Sequence, residues 1–370
     1  MVLKITDNLH EMIEIGKQII ADKPDVYTPL MLETLNASIK QYNADREFSN
    51  EDLLYKSVYD YWVYGNNCDE EFYYDFIHKS HIEKSEYMTF RLRERYCRHI
   101  NRKEDAELFV DKYRSYLRFQ KYYDRDVIQI NDNNDYNTFL EFVKKHPTFV
   151  VKPKDMAFGV GVYLVKESDY SDYQSLFDSI RKKGQMIKNE VVWAKSDSIV
   201  LEEVIEQDEA FARFHPYSVN GVRVTTLKVN GKVIIYHPWL KVGANGQFVT
   251  SAVFGTLDAG INATTGIVET KGFKENGEIF EFHPDTGIRI PDFVIPKWNE
   301  LVEMATEVAM SLDTISYVGW DFVLTPRGWC IMEANFDGDF MWQLVYQKGM
   351  KKEFETLIGW KYDKQFWWEE

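Results

Sequence analysis

The segment Gly319-Trp320-Asp321-Phe322-Val323-Leu324-Thr325-Pro326-Arg327-Gly328-Trp329-Cys330-Ile331-Met332-Glu333-Ala334-Asn335 places the tightest constraint on the fold. Two apolar runs flank Pro326-Arg327-Gly328. Proline suits the second position of a type I turn, and glycine suits the left-handed residue that follows it. The runs therefore read as an antiparallel hairpin with a three-residue loop, pairing Thr325 with Trp329, Val323 with Ile331 and Asp321 with Glu333. Opposed residues share a face, and Asn335 joins that face by the strand period of two. Two carboxylates and an amide oxygen in otherwise apolar strands repel unless positive charge sits between them. Magnesium takes a few hard oxygens and completes its shell with phosphate and water, so this face is a candidate metal site. The plainer alternative is a carboxylate pair reaching solvent at a sheet edge.

Upstream, residues 1 to about 125 read as mostly helical. Leu9, Met12, Ile13, Ile19 and Ile20 recur at helical spacing, with Gly16 on the same face as a point of close packing. The aromatic clusters Tyr59–Tyr64 and Phe72–Phe76 read as helix-packing core. Arg91, Arg93, Arg95, Arg98 and Arg102 read as a solvated helix face pairing with acids. From residue 127 the texture changes. Strands are expected at Val127–Ile130, Thr148–Lys152 and Val162–Val165, and a helix at Tyr136–Lys145. Hairpins follow from Ile199 to Ile290, with turns at Asn230-Gly231, Asn245-Gly246 and Asn276-Gly277. A helix at Trp298–Leu312, the hairpin at 317–335 and a C-terminal helix complete an α+β chain with a helical front and antiparallel sheets behind.

Composition narrows the function. The 370 residues carry a formal charge of −15, which argues against a general nucleic-acid binder because phosphate backbones need a cationic surface. Three scattered cysteines and eight histidines without ligand spacing leave no disulfide framework or zinc site. No signal peptide or long apolar span is read, so a cytoplasmic protein is expected.

Two further segments carry chemistry. In Phe149-Val-Val-Lys152-Pro-Lys154-Asp-Met-Ala-Phe-Gly159-Val-Gly161, a lysine ends a buried strand and is costly there unless it meets an anion. The Gly159–Gly161 pair lets backbone N–H groups approach phosphate. In Ser198-Ile-Val-Leu-Glu202-Glu203-Val204-Ile205, an apolar strand edge runs into two acids, with Glu209 shortly after. Such an edge offers backbone groups to a base and a carboxylate to ribose, although alone it reads as an ordinary strand end. His283-Pro-Asp-Thr-Gly287 is a good turn, and His215 and His237 read as structural histidines.

Taken in order, these segments resemble the ATP-grasp superfamily, and in detail its sugar-transfer-associated branch. The likeness runs from about Phe109 to Trp342. It includes Asp111-Lys112, Phe149–Pro153, Glu202–Ile205, Ser218-Val-Asn-Gly-Val-Arg223, His283–Gly287, Ile295-Pro-Lys-Trp298 and Val318–Asn335. It implies an ATP-grasp fold, two α+β subdomains gripping ATP between antiparallel sheets, behind a helical N-terminal region. The division expected is 1–110 for that region, 111–147 for the start of the module, 148–210 for the lid and 211–370 for the catalytic part. The resemblance further implies that Lys112 and Lys152 contact ATP phosphates under the Gly159–Gly161 loop. Adenine would lie against Glu202, Glu203 and Val204, and ribose near Glu209. Asp321, Glu333 and Asn335 would hold Mg²⁺, while Arg223 and Lys241 meet the γ-phosphate and an acyl phosphate.

The implied activity is ADP-forming carboxylate–amine ligation of a sugar acid or amino acid in polysaccharide assembly, in association with other enzymes of that assembly. A peptide ligase, a phosphotransferase and a non-catalytic nucleotide-binding module on the same fold stay open. Two features depart from the branch: the phosphate loop is poor in glycine, and Ser251 stands where an asparagine is expected.

Overall fold

The structure is a computed structural model that describes residues 3–43, 48–157, 159–248, 255–336, 338 and 340–369. Ser251 lies outside the described residues.

The helical front comprises α1 (Leu9–Asp22), α2 (Pro29–Tyr42), α3 (Asn50–Tyr64), α4 (Cys68–Tyr73), α5 (His81–Ser85) and α6 (Phe90–Ile100). Then come α7 (Glu107–Val110), α8 (Lys112–Phe119), β1 (Val127–Ile130), α9 (Tyr136–Lys145), β2 (Thr148–Pro153) and β3 (Tyr163–Lys166). The middle of the chain adds α10 (Tyr173–Glu190), β4 (Ile199–Glu203), α11 (Glu209–Ala212), β5 (Gly221–Val229), β6 (Lys232–Val242) and β7 (Leu257–Gly260). It closes with β8 (Gly272–Phe273), β9 (Ile279–Phe280), α12 (Trp298–Met310), β10 (Tyr317–Thr325), β11 (Gly328–Asn335), α13 (Trp342–Val345) and α14 (Lys351–Ile358). The chain forms two compact units: residues 1–100 with 273–279 and 340–370, and residues 101–272 with 280–339.

In the helical unit, Gly16 is the close-packing point its position suggests. A Cβ there would lie 2.0 Å from the Tyr55 carbonyl oxygen, so α1 meets α3 backbone to backbone with nothing between. Tyr59, Tyr64, Tyr74 and Phe76 are buried as expected of a helix-packing core. The same core encloses charges that the sequence does not advertise. Lys56 contacts both Asp60 and Glu71, and Lys84 lies 3.0 Å from Asp60, all four fully or almost fully buried. Two cations against two anions leave the cluster neutral, the condition under which buried charge is tolerated. The basic stretch divides: Arg98 and Arg102 are exposed as a solvated face requires, whereas Arg91, Arg93 and Arg95 are half-buried. Arg91 donates to the Tyr61 hydroxyl at 3.0 Å and Arg95 to the Trp367 carbonyl at 2.9 Å, so they tie down aromatic side chains and the C-terminal segment. Arg91 also pairs with Glu94 at 3.1 Å, as acid pairing predicts.

The second unit contains both sheets. The smaller is antiparallel, in the order β1-β4-β2-β3. Its apolar face packs Phe149, Val151 and Leu201 on Phe139 and Phe142 of α9 and Leu176, Phe177 and Ile180 of α10. Helix α10 went unread in the sequence although its apolar residues keep helical spacing. The larger sheet runs β11-β10-β5-β6-β7 within this unit, and α12 packs Leu301, Ala305 and Val308 into its core. Asn230 and Gly231 both take positive φ, 50° and 73°, as a two-residue hairpin turn between β5 and β6 requires.

The β10–β11 hairpin differs from expectation at its tip. Thr325 pairs with Gly328 and Val323 with Cys330, leaving a two-residue Pro326-Arg327 loop. A bulge at Met332 then restores the register, so that Asp321 faces Glu333 as expected. Strand β4 also differs: it lies inside its sheet rather than at an edge, flanked by β1 and β2, and its ladder ends at Glu203.

Gly16→Ala tests the packing of α1 on α3. Helix propensity alone favours alanine by about 0.5–1 kcal/mol, whereas forcing a methyl into the Tyr55 carbonyl costs about 1–3 kcal/mol. The clash should win, lowering the urea midpoint of the helical signal; an unchanged or raised midpoint would contradict this contact.

Candidate functional site

Seven expected site residues, Lys112, Lys152, Glu202, Arg223, Lys241, Asp321 and Glu333, gather on one face of the larger sheet and at the adjoining part of the smaller one. Register sets the first part. Glu333 opposes Asp321, Asp321 opposes Arg223, and Arg223 opposes Trp239, a continuous row across β11, β10, β5 and β6. Lys241 stands two residues along β6, opposite Gly221 and Asp258, and therefore on the same face.

Every acid of this row has a cation beside it. Arg223 Nε lies 2.9 Å from Asp321 Oδ1, at ion-pair distance although not aligned as a hydrogen bond. Lys112 Nζ lies 3.1 Å from Glu333 Oε1 and also donates to the Met156 carbonyl. The positive charge that the acid face demanded is thus supplied by β5 and α8. Asn335 donates through Nδ2 to Asp321 Oδ2 at 3.3 Å and to the Gly319 carbonyl at 3.4 Å, which leaves its Oδ1 for another partner. Gly319 gives Arg223 its place: a Cβ there would lie 2.6 Å from Arg223 Nη1 and push the guanidinium aside.

Lys112 is placed by its helix start. Asp111 caps α8, accepting the N–H groups of Tyr113 and Arg114, and lies 3.3 Å from Lys154, while the Lys112 N–H bonds the Lys154 carbonyl. Lys152 finds its anion in Glu202, at 2.9 Å. Lys112, Lys152, Glu202 and Glu333 line one small cavity with Phe109 and Tyr123.

One site residue carries no local sequence signal: Arg125, buried within Asp124-Arg125-Asp126. Its Nε donates to Glu202 Oε2 at 2.9 Å, its Nη1 to the Ile331 carbonyl at 2.6 Å and its Nη2 to the Met332 carbonyl at 3.1 Å. It joins the smaller sheet to the bulge of the larger one. Burial raises the Glu202 carboxyl, but Arg125 and Lys152 outweigh it and bring its pKa down to about 2. For Glu333, burial is likewise outweighed by Lys112, Lys152 and Arg223, and its pKa lies below the ordinary carboxylate value. Both are ionised at neutral pH.

The end of β6 beyond Lys241 is clamped. Asn220 Oδ1 accepts the Gly243 N–H at 2.9 Å, and His283 Nε2 donates to the Gly243 carbonyl at 2.7 Å. A Cβ at Gly243 would lie 2.1 Å from Ser218 Oγ. The Ser218–Asn220 and His283–Gly287 motifs therefore hold one strand end. His215, bonded to Ser218 Oγ at 2.8 Å, has its pKa lowered by burial and stays neutral.

Other expected residues stand apart from the charged row. Gly159 and Gly161 adopt φ of 75° and 74° in successive turns, and a Cβ at Gly161 would lie 2.7 Å from Pro153. Glu203 accepts the Asp126 N–H at 3.0 Å. Val204 and Glu209 are exposed, Glu209 opening α11. Asp126, His146 and Glu203 lie close enough to share a cation, but Asp126 is already bonded to His146 at 2.8 Å and to Lys145.

A family model described as sugar-transfer associated ATP-grasp matches residues 91–357. No curated protein sequence matches the chain. Among solved structures it is similar to a D-alanyl-alanine synthetase A from Vibrio cholerae, with TM-score 0.38, 14% identity, and 68% of this chain and 61% of that one covered. A D-alanine–D-alanine ligase from Helicobacter pylori gives 0.41, 14%, 71% and 64%. An N5-carboxyaminoimidazole synthetase from Staphylococcus aureus complexed with ADP gives 0.42, 11%, 70% and 54%. The chain thus spans less than two thirds of each of these neighbours. Among the described residues no helix is long and apolar enough to cross a membrane.

The low pKa of Glu202 has a stability consequence with a definite sign. A carboxyl depressed from 4.5 to about 2 stabilises the fold above pH 4.5 and ceases to as pH falls through 2. Relative to Glu202→Gln, wild type should lose on the order of 3 kcal/mol across that window. Urea unfolding at stepped pH reads the difference; parallel acid limbs for the two proteins would contradict the assignment.

Proposed function

We propose that this chain, which belongs to the sugar-transfer-associated ATP-grasp family, is an ATP-dependent carboxylate–amine ligase that releases ADP and phosphate. The observation that carries the proposal is the charged row itself. Asp321 and Glu333 are opposed on one face, and Arg223, Lys112 and Lys152 stand against acids of the same site. A site with paired acids and separate cations fits a nucleotide that arrives with a divalent ion.

The donor set suits magnesium: two carboxylates and an amide oxygen, all hard. Asp321, Glu333 and Asn335 would hold it, and when bound it would supply a Lewis acid that neutralises phosphate charge. Lys112 and Lys152 would turn from their carboxylates to phosphate oxygens, with the turns at Gly159 and Gly161 covering them. Backbone groups just past β4, at Glu203 and Val204, would face adenine, with Glu202 holding Lys152 in place and Glu209 near ribose.

In the proposed reaction a substrate carboxylate oxygen attacks the γ-phosphorus, the bond to the bridging oxygen breaks, and ADP leaves. Arg223, on the row beside Asp321, would meet charge developing on the transferred group. An amine then attacks the acyl carbon, loses a proton and expels phosphate. Lys241 would stabilise that carbonyl end. Among the described residues its ammonium has no ion pair or hydrogen bond, consistent with a group kept for substrate. Excluding water protects the acyl phosphate. The family points to a sugar acid or amino acid in polysaccharide assembly, acting in the cytoplasm beside other enzymes of that assembly.

Incubation with ATP, magnesium, hydroxylamine and panels of uronic acids and amino acids tests this. At least one acid should give a hydroxamate with matching ADP release, and Arg223→Ala should slow it by about 10²–10³-fold. A stable phosphorylated product would indicate phosphotransfer instead. No hydroxamate from any acid, in protein that binds ATP, would remove this substrate class.

A further inference from the structure

The helical unit holds a cavity of about 70 Å³ between α3, α5, α6, the start of α14 and the segment at 362–367. Lys84, Lys351, Lys364 and His81 line it together with Tyr87 and Tyr362. Among the described residues none of its 13 lining side chains is an Asp or Glu, in a chain with 59 of them against 44 Lys and Arg. A wall of cations without acids runs against the charge of the whole protein.

The cations are not equivalent. Lys84 is committed on its buried side to Asp60, at 3.0 Å. Lys351 and Lys364 have no hydrogen bond or ion pair from their ammonium groups to any described residue. Lys351 is half-buried, and burial drives its pKa below the usual lysine value despite the charge of Glu355. Glu355 itself is engaged by the Tyr96 hydroxyl. Keeping an ammonium desolvated without a counter-ion is costly. Asp60 is taken by Lys56 and Lys84, and Asp7 accepts the His81 N–H at 2.5 Å; Glu86 and Asp363, beside Tyr87 and Tyr362, are exposed and outside the cavity lining.

The histidine is oriented. Tyr64, whose hydroxyl is held protonated by burial, lies 2.9 Å from His81 Nδ1. This contact engages Nδ1 and leaves Nε2 as the ring nitrogen for a ligand, a donor to an anion when it carries the ring proton. The volume holds a few waters' worth of ligand, matching one charged group and not a nucleotide.

We propose that this cavity binds a small anionic group, a phosphate or a carboxylate, through Lys351, Lys364 and His81. Tyr87 and Tyr362 offer ring faces to whatever carries that group, so a sugar phosphate or a uronate fits the same chemistry. The site does not depend on the ligase proposal.

Calorimetric titration of the full chain, with its nucleotide site saturated by Mg·ADP, tests it using inorganic phosphate, glucose 1-phosphate and glucuronate in turn. Wild type should bind at least one of the three, and the tightest identifies the source of the anion. Lys351→Met keeps the aliphatic stem and should weaken binding at least tenfold. The ligand-free variant should also melt at a higher temperature, because an uncompensated ammonium is gone. Lys364→Gln, at the exposed rim, should weaken binding several-fold, and both variants should bind Mg·ATP as wild type does. No binding of any of the three by wild type, or equal binding by Lys351→Met, would overturn the proposal. Loss of Mg·ATP binding in wild type would count against the ligase proposal alone.

Discussion

The buried contact of Arg125 with Glu202 is the interaction on which the rest of the second unit depends. The bulge at Met332 lets Asp321 and Glu333 face each other although the hairpin tip is one residue tighter than a simple ladder allows. Arg125 takes the carbonyls of Ile331 and Met332 at that bulge, and with the same guanidinium holds Glu202 of the smaller sheet. Charge-assisted bonds of this kind are strong where water is excluded, and removing either partner would leave a buried charge alone. One side chain thus fixes both the register of the acid face and the position of β4 against it.

From that contact the arrangement of charges follows. Glu202 holds Lys152, Glu333 holds Lys112 and Asp321 holds Arg223, so acids and bases alternate and neutralise one another. In the proposed function, these pairs are exchanged: cations for phosphate and acids for magnesium. An exchange of partners needs both halves of the ligand at once, since either half alone would strand charges of one sign. The helical unit uses a related device in its core, where Lys56, Asp60, Glu71 and Lys84 balance, while Lys351 in the neighbouring cavity is left out of balance.

Much of this was legible in the sequence, and the exceptions share a cause. Strand periodicity and turn residues located β1, α9, β2, α12 and the β10–β11 hairpin, because these signals are local. The pairing of Asp321 with Glu333 was legible too, yet through a three-residue loop that does not form; the bulge at Met332 absorbed the error. Arg125 was illegible, since an arginine between two aspartates carries no local signal and its partners lie about 77 and 206 residues away. Lys152 was correctly read as needing an anion, but the anion present is the side chain of Glu202, a residue chosen from sequence for its backbone. The buried lysines and Arg91 and Arg95 of α6 have helical spacing indistinguishable from a solvated face, so only tertiary contacts reveal them.

The central claim is that the charged row is a site for a nucleotide and a divalent ion together, with Lys152 on the phosphates. Calorimetric titration with ATP, with and without magnesium, on wild type and Lys152→Ala tests it most directly. The account predicts magnesium-dependent binding by wild type and binding weakened at least tenfold in the variant. Equal affinity of the two proteins, or no binding by folded wild type, would contradict it.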